Sequence, residues 1–153
     1  MRKPVSYLKA VVICHGKSEK QICDFIKSNL RIRIEPHSDK HGCKSIQITS
    51  LKNTLKSMKF NTFDNFVNFF DDVEICAKKR KKSLAADFKI FIIMDTDDCS
   101  QLQKEEFINK QMFKNHWAYQ YIVPIYNNIN LEDVLVTSDI KYEKKEVREK
   151  RNT

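Results

Sequence analysis

An α/β fold with a mostly parallel sheet and helices on both faces is the class this sequence predicts. Two observations carry the prediction. Lys89-Ile90-Phe91-Ile92-Ile93-Met94 contains a continuous apolar run bounded by charge, the pattern of a strand buried on both faces. Apolar runs of this kind alternate along the chain with amphipathic segments, and that alternation implies strand–helix–strand units.

Taken in order, Tyr7–Cys14 reads as the first buried strand. His15-Gly16-Lys17 turns the chain, and Ser18-Glu19-Lys20-Gln21 has the form of a capping box with Ser18 as N-cap. A helix to about Leu30 should follow, with Ile22, Phe25, Ile26 and Leu30 on its inner face. Arg31–Glu35 alternates as a short strand leading to Pro36. Ser45–Ser50 alternates more cleanly and also predicts a strand, after a polar loop containing Gly42. Leu51 and Leu55 fit a helical turn. Thr62 caps a helix with the stripe Phe63, Phe66, Val67, Phe70 and Val73, which runs into a basic loop. The acid-tipped strand comes next, then a second capping box at Ser100-Gln101-Leu102-Gln103 and a helix to about Lys114. Tyr119–Ile125 reads as the last strand. Asn130 caps a short helix bearing Leu131, Glu132, Val134 and Leu135, and apolar periodicity fades beyond Asp139. The expected organisation is one domain over residues 1–140 and a basic tail, frayed or disordered, over 141–153.

Composition narrows the class. Hydrophobic content of 41% with 31% charged residues suits a globular protein, and no apolar run reaches the length of a membrane span. The first residues lack the apolar stretch of a secretory signal, so a cytoplasmic, reducing environment is expected. The five cysteines include no C-x-x-C pair, which disfavours zinc and favours free, buried thiols. The remaining histidines, His37, His41 and His116, have no metal-ligand spacing and suggest surface or loop roles. The net charge of +8 is concentrated. Lys78-Lys79-Arg80-Lys81-Lys82 and the tail from Lys141 account for all of it, leaving a neutral body with one basic segment suited to phosphate or nucleic acid.

Three groups carry candidate chemistry. Asp95, Asp97 and Asp98 crowd the carboxyl end of the central strand. Like charges this close raise one another's pKa unless a cation or strong donors sit between them, and magnesium is the natural partner of an all-oxygen set, with manganese as its substitute. In a strand Asp95 and Asp97 share a side, which makes them the better metal pair. Gly16, Lys17 and Ser18 open a helix after the first strand, a place suited to phosphate. The P-loop pattern is not met, because its upstream glycine would fall at Val11. Glu132 and Asp133, after the last strand, lie where they add a carboxylate to the same edge.

A first strand followed by a turn of the form Glu-Gly-Lys-Ser/Thr-Glu, with a later strand ending Asp-x-Asp, is the signature of Toprim domains. Here His15-Gly16-Lys17-Ser18-Glu19 and Asp95-Thr96-Asp97 resemble it, over roughly Val11–Leu135. The chain is most similar to small Toprim-like proteins of the RloB and OLD-nuclease kind, which are often found in bacterial defence against phage. In these a later strand also leads to an asparagine-rich turn and a glutamate-bearing helix, as in Asn127–Leu135. The resemblance implies magnesium on Asp95 and Asp97, with Glu132 completing the set, and phosphodiester chemistry on nucleic acid. His15 stands where the family has its first glutamate. Histidine is a poor magnesium ligand and a good proton-transfer group near neutral pH, and Glu19 is the candidate to replace the missing carboxylate. Two other readings follow from the same residues. One is a catalytically impaired module that binds nucleic acid or regulates a partner. The other rests on the likeness of His15-Gly16 to the Arg-His-Gly motif of histidine phosphatases, with Cys14 in place of the arginine.

Overall fold

The computed structural model describes residues 6–39, 44–78, 80–97 and 99–127. A four-stranded, wholly parallel sheet forms its centre: β1 (Ala10–Cys14), β2 (Ile34–His37), β5 (Lys89–Asp95) and β6 (Ile122–Asn127), in the spatial order β2-β1-β5-β6. A separate antiparallel hairpin, β3 (Ile75–Lys78) and β4 (Lys81–Leu84), precedes β5. The helices are α1 (Lys17–Phe25), α2 (Leu51–Leu55), α3 (Phe63–Phe69) and α4 (Gln101–Ile108).

The expected α/β class is thus the observed one, and its layers follow from handedness. From β1 to β2 the chain moves one way along the sheet, and from β5 to β6 it moves the other. Right-handed crossovers then put α1 and α4 on opposite faces. Two cores result. One gathers Val11, Ile13, Ile90, Ile92 and Met94 with Leu51, Leu55, Phe66 and Phe107 from the helices. The other joins Ala10, Val12, Cys14 and Ile34 to Cys23 of α1. Buried Val11 and Ile13 alternate with buried Val12 and Cys14, so both faces of β1 are covered, as its unbroken apolar run predicts. The first core is rich in aromatic contacts: Phe66 touches Phe60, Phe70, Phe88 and Trp117 at centroid separations of 4.7 to 6.0 Å. The inward stripe expected for α3 is observed at Phe66, with Phe63 and Val67 packed against the core, but the helix ends at Phe69, before the basic segment: Phe70 caps it, and Val73 is buried beyond it in a bridge to Leu8. Thr62 caps the helix by accepting from the Asn65 N–H at 3.1 Å.

Several elements depart from expectation. The α-helix begins at Lys17 with Gly16 as N-cap, two residues before Ser18. It changes after Phe25 to a π-helical turn, Ile26–Leu30. The wider turn breaks the 3.6-residue repeat. Already in the regular part, however, Glu19 and Cys23 are the buried residues and Ile26 packs beside Cys23, so the inner face is rotated from the expected one, and Phe25 and Leu30 are 61% and 60% exposed. Ser45–Ser50 is not a strand. Ile46 and Ile48 are both buried, but through an irregular stretch and a short 3-10 turn that leads into α2. The basic loop is a hairpin, whose alternation is obscured by lysine on both arms. The second capping box is present as predicted: Ser100 Oγ accepts from the Gln103 N–H, and Gln103 Oε1 accepts from the Ser100 N–H. Its helix ends earlier than expected, at Ile108, where Asn109 and then Lys110, in the left-handed conformation, close it. Pro36 and Pro124 lie within β2 and β6, both edge strands, where a missing N–H is tolerated. The Asn130 cap, its helix and the tail lie outside the described residues. Among the described residues no helix is long and apolar enough to cross a membrane.

Of the histidines expected at the surface or in loops, His116 lies in a loop and His37 in β2, and both help build the fold. His116 accepts the Ala118 N–H on Nδ1, so its Nε2–H donates to the Leu55 carbonyl at 3.1 Å and ties that loop to α2. His37 packs edge-on against Phe60 at 5.0 Å. Burial, and then the Lys59 ammonium beside it, pushes the imidazole down to about 4. His41 lies outside the described residues.

Phe66→Ala should cost about 3–5 kcal/mol, the usual loss for a fully buried aromatic ring, as read by urea unfolding. His37 is neutral in the fold and takes up a proton on unfolding below its ordinary value of 6.5. Its contribution to stability is therefore full above pH 6.5 and is lost as the pH falls toward 4. Thermal melts should show part of this loss already between pH 6.5 and 5, and His37→Leu should flatten that part of the profile.

Candidate functional site

The order β2-β1-β5-β6 reverses direction between β1 and β5. Ligands of open α/β sheets bind in the crevice beyond the carboxyl ends of strands at such a switch point. The residues that leave these two strands are His15 and Asp95–Asp97. Register fixes their closeness: Cys14 lies opposite Ile93, and the His15 N–H donates to the Ile93 carbonyl at 3.0 Å. His15 and Asp95 therefore leave neighbouring strands at the same edge.

His15 is held on three sides. Besides its bond to β5, its carbonyl accepts from the Ile46 N–H at 2.8 Å, and its Nδ1 lies 2.9 Å from the Ile46 carbonyl. A carbonyl only accepts, so Nδ1 carries the proton and Nε2 is the basic nitrogen of the neutral ring. The 45–50 segment thus crosses the end of β1 and sets the histidine tautomer. The sequence did not reveal this role, since Ile46 gives only the signal of an apolar anchor.

Glu19 is buried at 8% exposure, and its Oε2 accepts the Gly16 N–H at 3.1 Å. The carboxylate caps its own helix and meets the positive end of the helix dipole. This bears on both roles expected at this turn. As a replacement metal ligand, Glu19 has one oxygen already committed. As a phosphate site, the helix start already holds an anion, and the Gly16 N–H is taken. Lys17 and Ser18 are exposed at the same turn. Gly16 has extended backbone, and a Cβ there would make only ordinary contacts, 3.8 Å from Glu19 Oε2 and from Ser45 Oγ. Glycine is therefore not required here by conformation.

The strand ends at Asp95, so alternation along β5 does not reach Asp97. A turn joins the two: Asp95 Oδ1 accepts the Asp97 N–H at 3.0 Å. Asp95 is half-buried and Asp97 exposed. Asp98 and Glu132 lie outside the described residues. Among the described residues no three His, Cys, Asp or Glu side chains come together as a metal cluster. The donors that are present, two carboxylates joined by one turn, suit a hard cation that keeps most of its water, the usual habit of protein-bound magnesium.

Cys14 and Cys23, expected as buried thiols, are buried and free, with sulfurs 4.0 Å apart. The hydrogen bond between them and burial hold the Cys14 thiol well above its ordinary value, and it donates to the Val12 carbonyl. Cys14 is thus part of the core beneath the site.

The basic segment is not gathered at this edge. Leu84 ends the hairpin by donating its N–H to Tyr121 Oη at 3.0 Å, and Tyr121 directly precedes β6. Lys78, Arg80, Lys81 and Lys82 therefore stand toward the amino ends of the sheet strands, away from His15 and Asp95, while Lys79 lies outside the described residues. The fold and this edge define an α/β domain with a parallel sheet and a polar switch point. Comparison with protein-family models, with curated proteins and with solved structures gave no match.

The two readings of Glu19 separate experimentally. Glu19→Ala should lower stability by about 1 kcal/mol through loss of the cap. Glu19→Gln keeps an acceptor for the Gly16 N–H and should melt close to the wild type.

Proposed function

We propose that this chain is a Toprim-like, magnesium-dependent phosphodiesterase acting on nucleic acid, working in the cytoplasm, with bacterial phage defence as the setting its sequence resemblance suggests. The observation that carries the reading is the register of β1 and β5, which brings His15 to the edge where Asp95 ends its strand. Asp95 and Asp97 would hold magnesium, with manganese as substitute, and Glu132 would complete the set. A bound magnesium ion supplies charge for a phosphoryl oxygen and for a water ligand. His15, with Nδ1 committed to Ile46, offers Nε2 as the proton-transfer atom. Lys17, exposed at the adjoining turn, would steady the phosphate.

A second reading, a binding or regulatory module on the same fold, is favoured by a separate observation. The one buried carboxylate at the first turn, Glu19, is occupied in capping α1, and His15 stands at the family's glutamate position. Phosphotransfer through His15 has less in its support: position 14, where that mechanism needs a cation, is a fully buried cysteine.

The deciding experiment is cleavage of labelled DNA and RNA with magnesium or manganese, for wild type and Asp95→Ala. The proposal expects metal-dependent cleavage that falls about 100-fold or more in the variant, with little change in melting temperature. Cleavage that survives the substitution removes this site from the reaction. Tight binding without cleavage across both metals favours the module.

A further inference from the structure

The second polar feature of the molecule is a groove of about 470 Å³ at the amino end of the sheet. One wall is a single face of the hairpin. Cys76 pairs with Ser83 and Lys78 with Lys81 across the antiparallel strands, and all four side chains line the groove. The opposite wall is Gln120 and Tyr121. The Leu84–Tyr121 hydrogen bond pins the two walls together, so the cleft is built into the fold.

Two features of the hairpin oppose its own stability. Lys78 and Lys81 are directly opposite one another, and like charges in that position repel. Arg80, at the turn, has φ of 106°, in the region that favours glycine. The sequence thus places a long cation where glycine fits best and crowds two more beside it. Such local conflict points toward a function that the fold tolerates. Positive charge also continues past the groove. Lys110 sits over the ring of Tyr119 at 4.3 Å, and its ammonium is pushed down by burial and by the nearby Lys89 charge.

We infer that this groove is a phosphodiester-backbone site for nucleic acid, with Lys78, Arg80 and Lys81 contacting phosphates and Gln120 at the opposite wall. It rests on the nucleic-acid part of the proposed function but not on the metal chemistry. The seven residues of β5 separate the groove from Asp95 by about 20 Å at the usual rise per residue. Nucleic acid is held at one end of the sheet and presented to the acidic edge at the other. Lysines on an exposed hairpin also protect against edge-to-edge pairing. Reversal to glutamate keeps that protection while removing phosphate contact, so the two roles separate.

Anisotropy with a labelled single strand and its duplex, in EDTA across a salt series, tests the site. Lys78→Glu/Lys81→Glu should weaken binding about tenfold or more and reduce the slope of log affinity against log salt by about 2. Arg80→Gly should melt no lower than wild type while binding more weakly. Half-buried Cys76 serves as a reporter in the unaltered chain: oligonucleotide should slow its alkylation, followed by peptide mass. Unchanged affinity in a folded double variant, or alkylation of Cys76 indifferent to oligonucleotide, overturns the site. Equal protection by heparin at matched charge overturns its assignment to nucleic acid. Binding is read in EDTA and cleavage requires the metal, so failure of cleavage and failure of the groove give different results.

Discussion

The pairing of β1 with β5 is the contact on which the rest of the molecule depends. These are the two central strands, and each is apolar on both faces because each has a layer on either side. Their parallel register sets which residues emerge together at the carboxyl edge. A slip of β5 by one residue along β1 would turn Ile90 and Ile92 out of the aromatic core. It would also carry His15 away from the end of β5. Packing and site are therefore fixed by the same ladder of hydrogen bonds.

The polar groups divide between the two ends of this sheet. At the carboxyl end, His15 and Glu19 are restrained by local bonds, one to the Ile46 carbonyl and the other to the Gly16 N–H. Those bonds do different things. The first orders a ring and leaves its basic nitrogen defined. The second spends a buried carboxylate on the helix it belongs to. At the amino end the charges are crowded cations, in no ion pair among the described residues, on a hairpin held to the body through Tyr121. An acidic edge and a basic groove at opposite ends give the neutral body a polarity that its net charge does not express.

Much of the architecture was legible in the sequence because its strongest signals are strong physical constraints. The run Ile90–Met94 has to be buried, Phe63, Phe66, Val67 and Phe70 have to share a face, and Ser100 with Gln103 caps a helix in the expected way. The failures have equally physical causes. Ile46 and Ile48 alternate like a strand, yet two anchors spaced two residues apart also suit an irregular stretch followed by a 3-10 turn. The stripe on α1 was drawn through Phe25 and Leu30, whereas Glu19, turned inward to cap the helix, and Cys23 mark the inner face. The hairpin was hidden because a lysine-rich pair of strands has no apolar face to reveal its period.

By itself the sequence determined the α/β class, the buried strands and the residue types available for chemistry, because burial of long apolar runs leaves few alternatives. Tertiary structure alone decided the rest. Strand order placed His15 beside the end of β5, the crossing of Ile46 chose the tautomer of His15, and the cap at Gly16 engaged Glu19. Each of these depends on contacts between residues far apart in the chain or on where a helix starts to within one residue, and local pattern does not encode either.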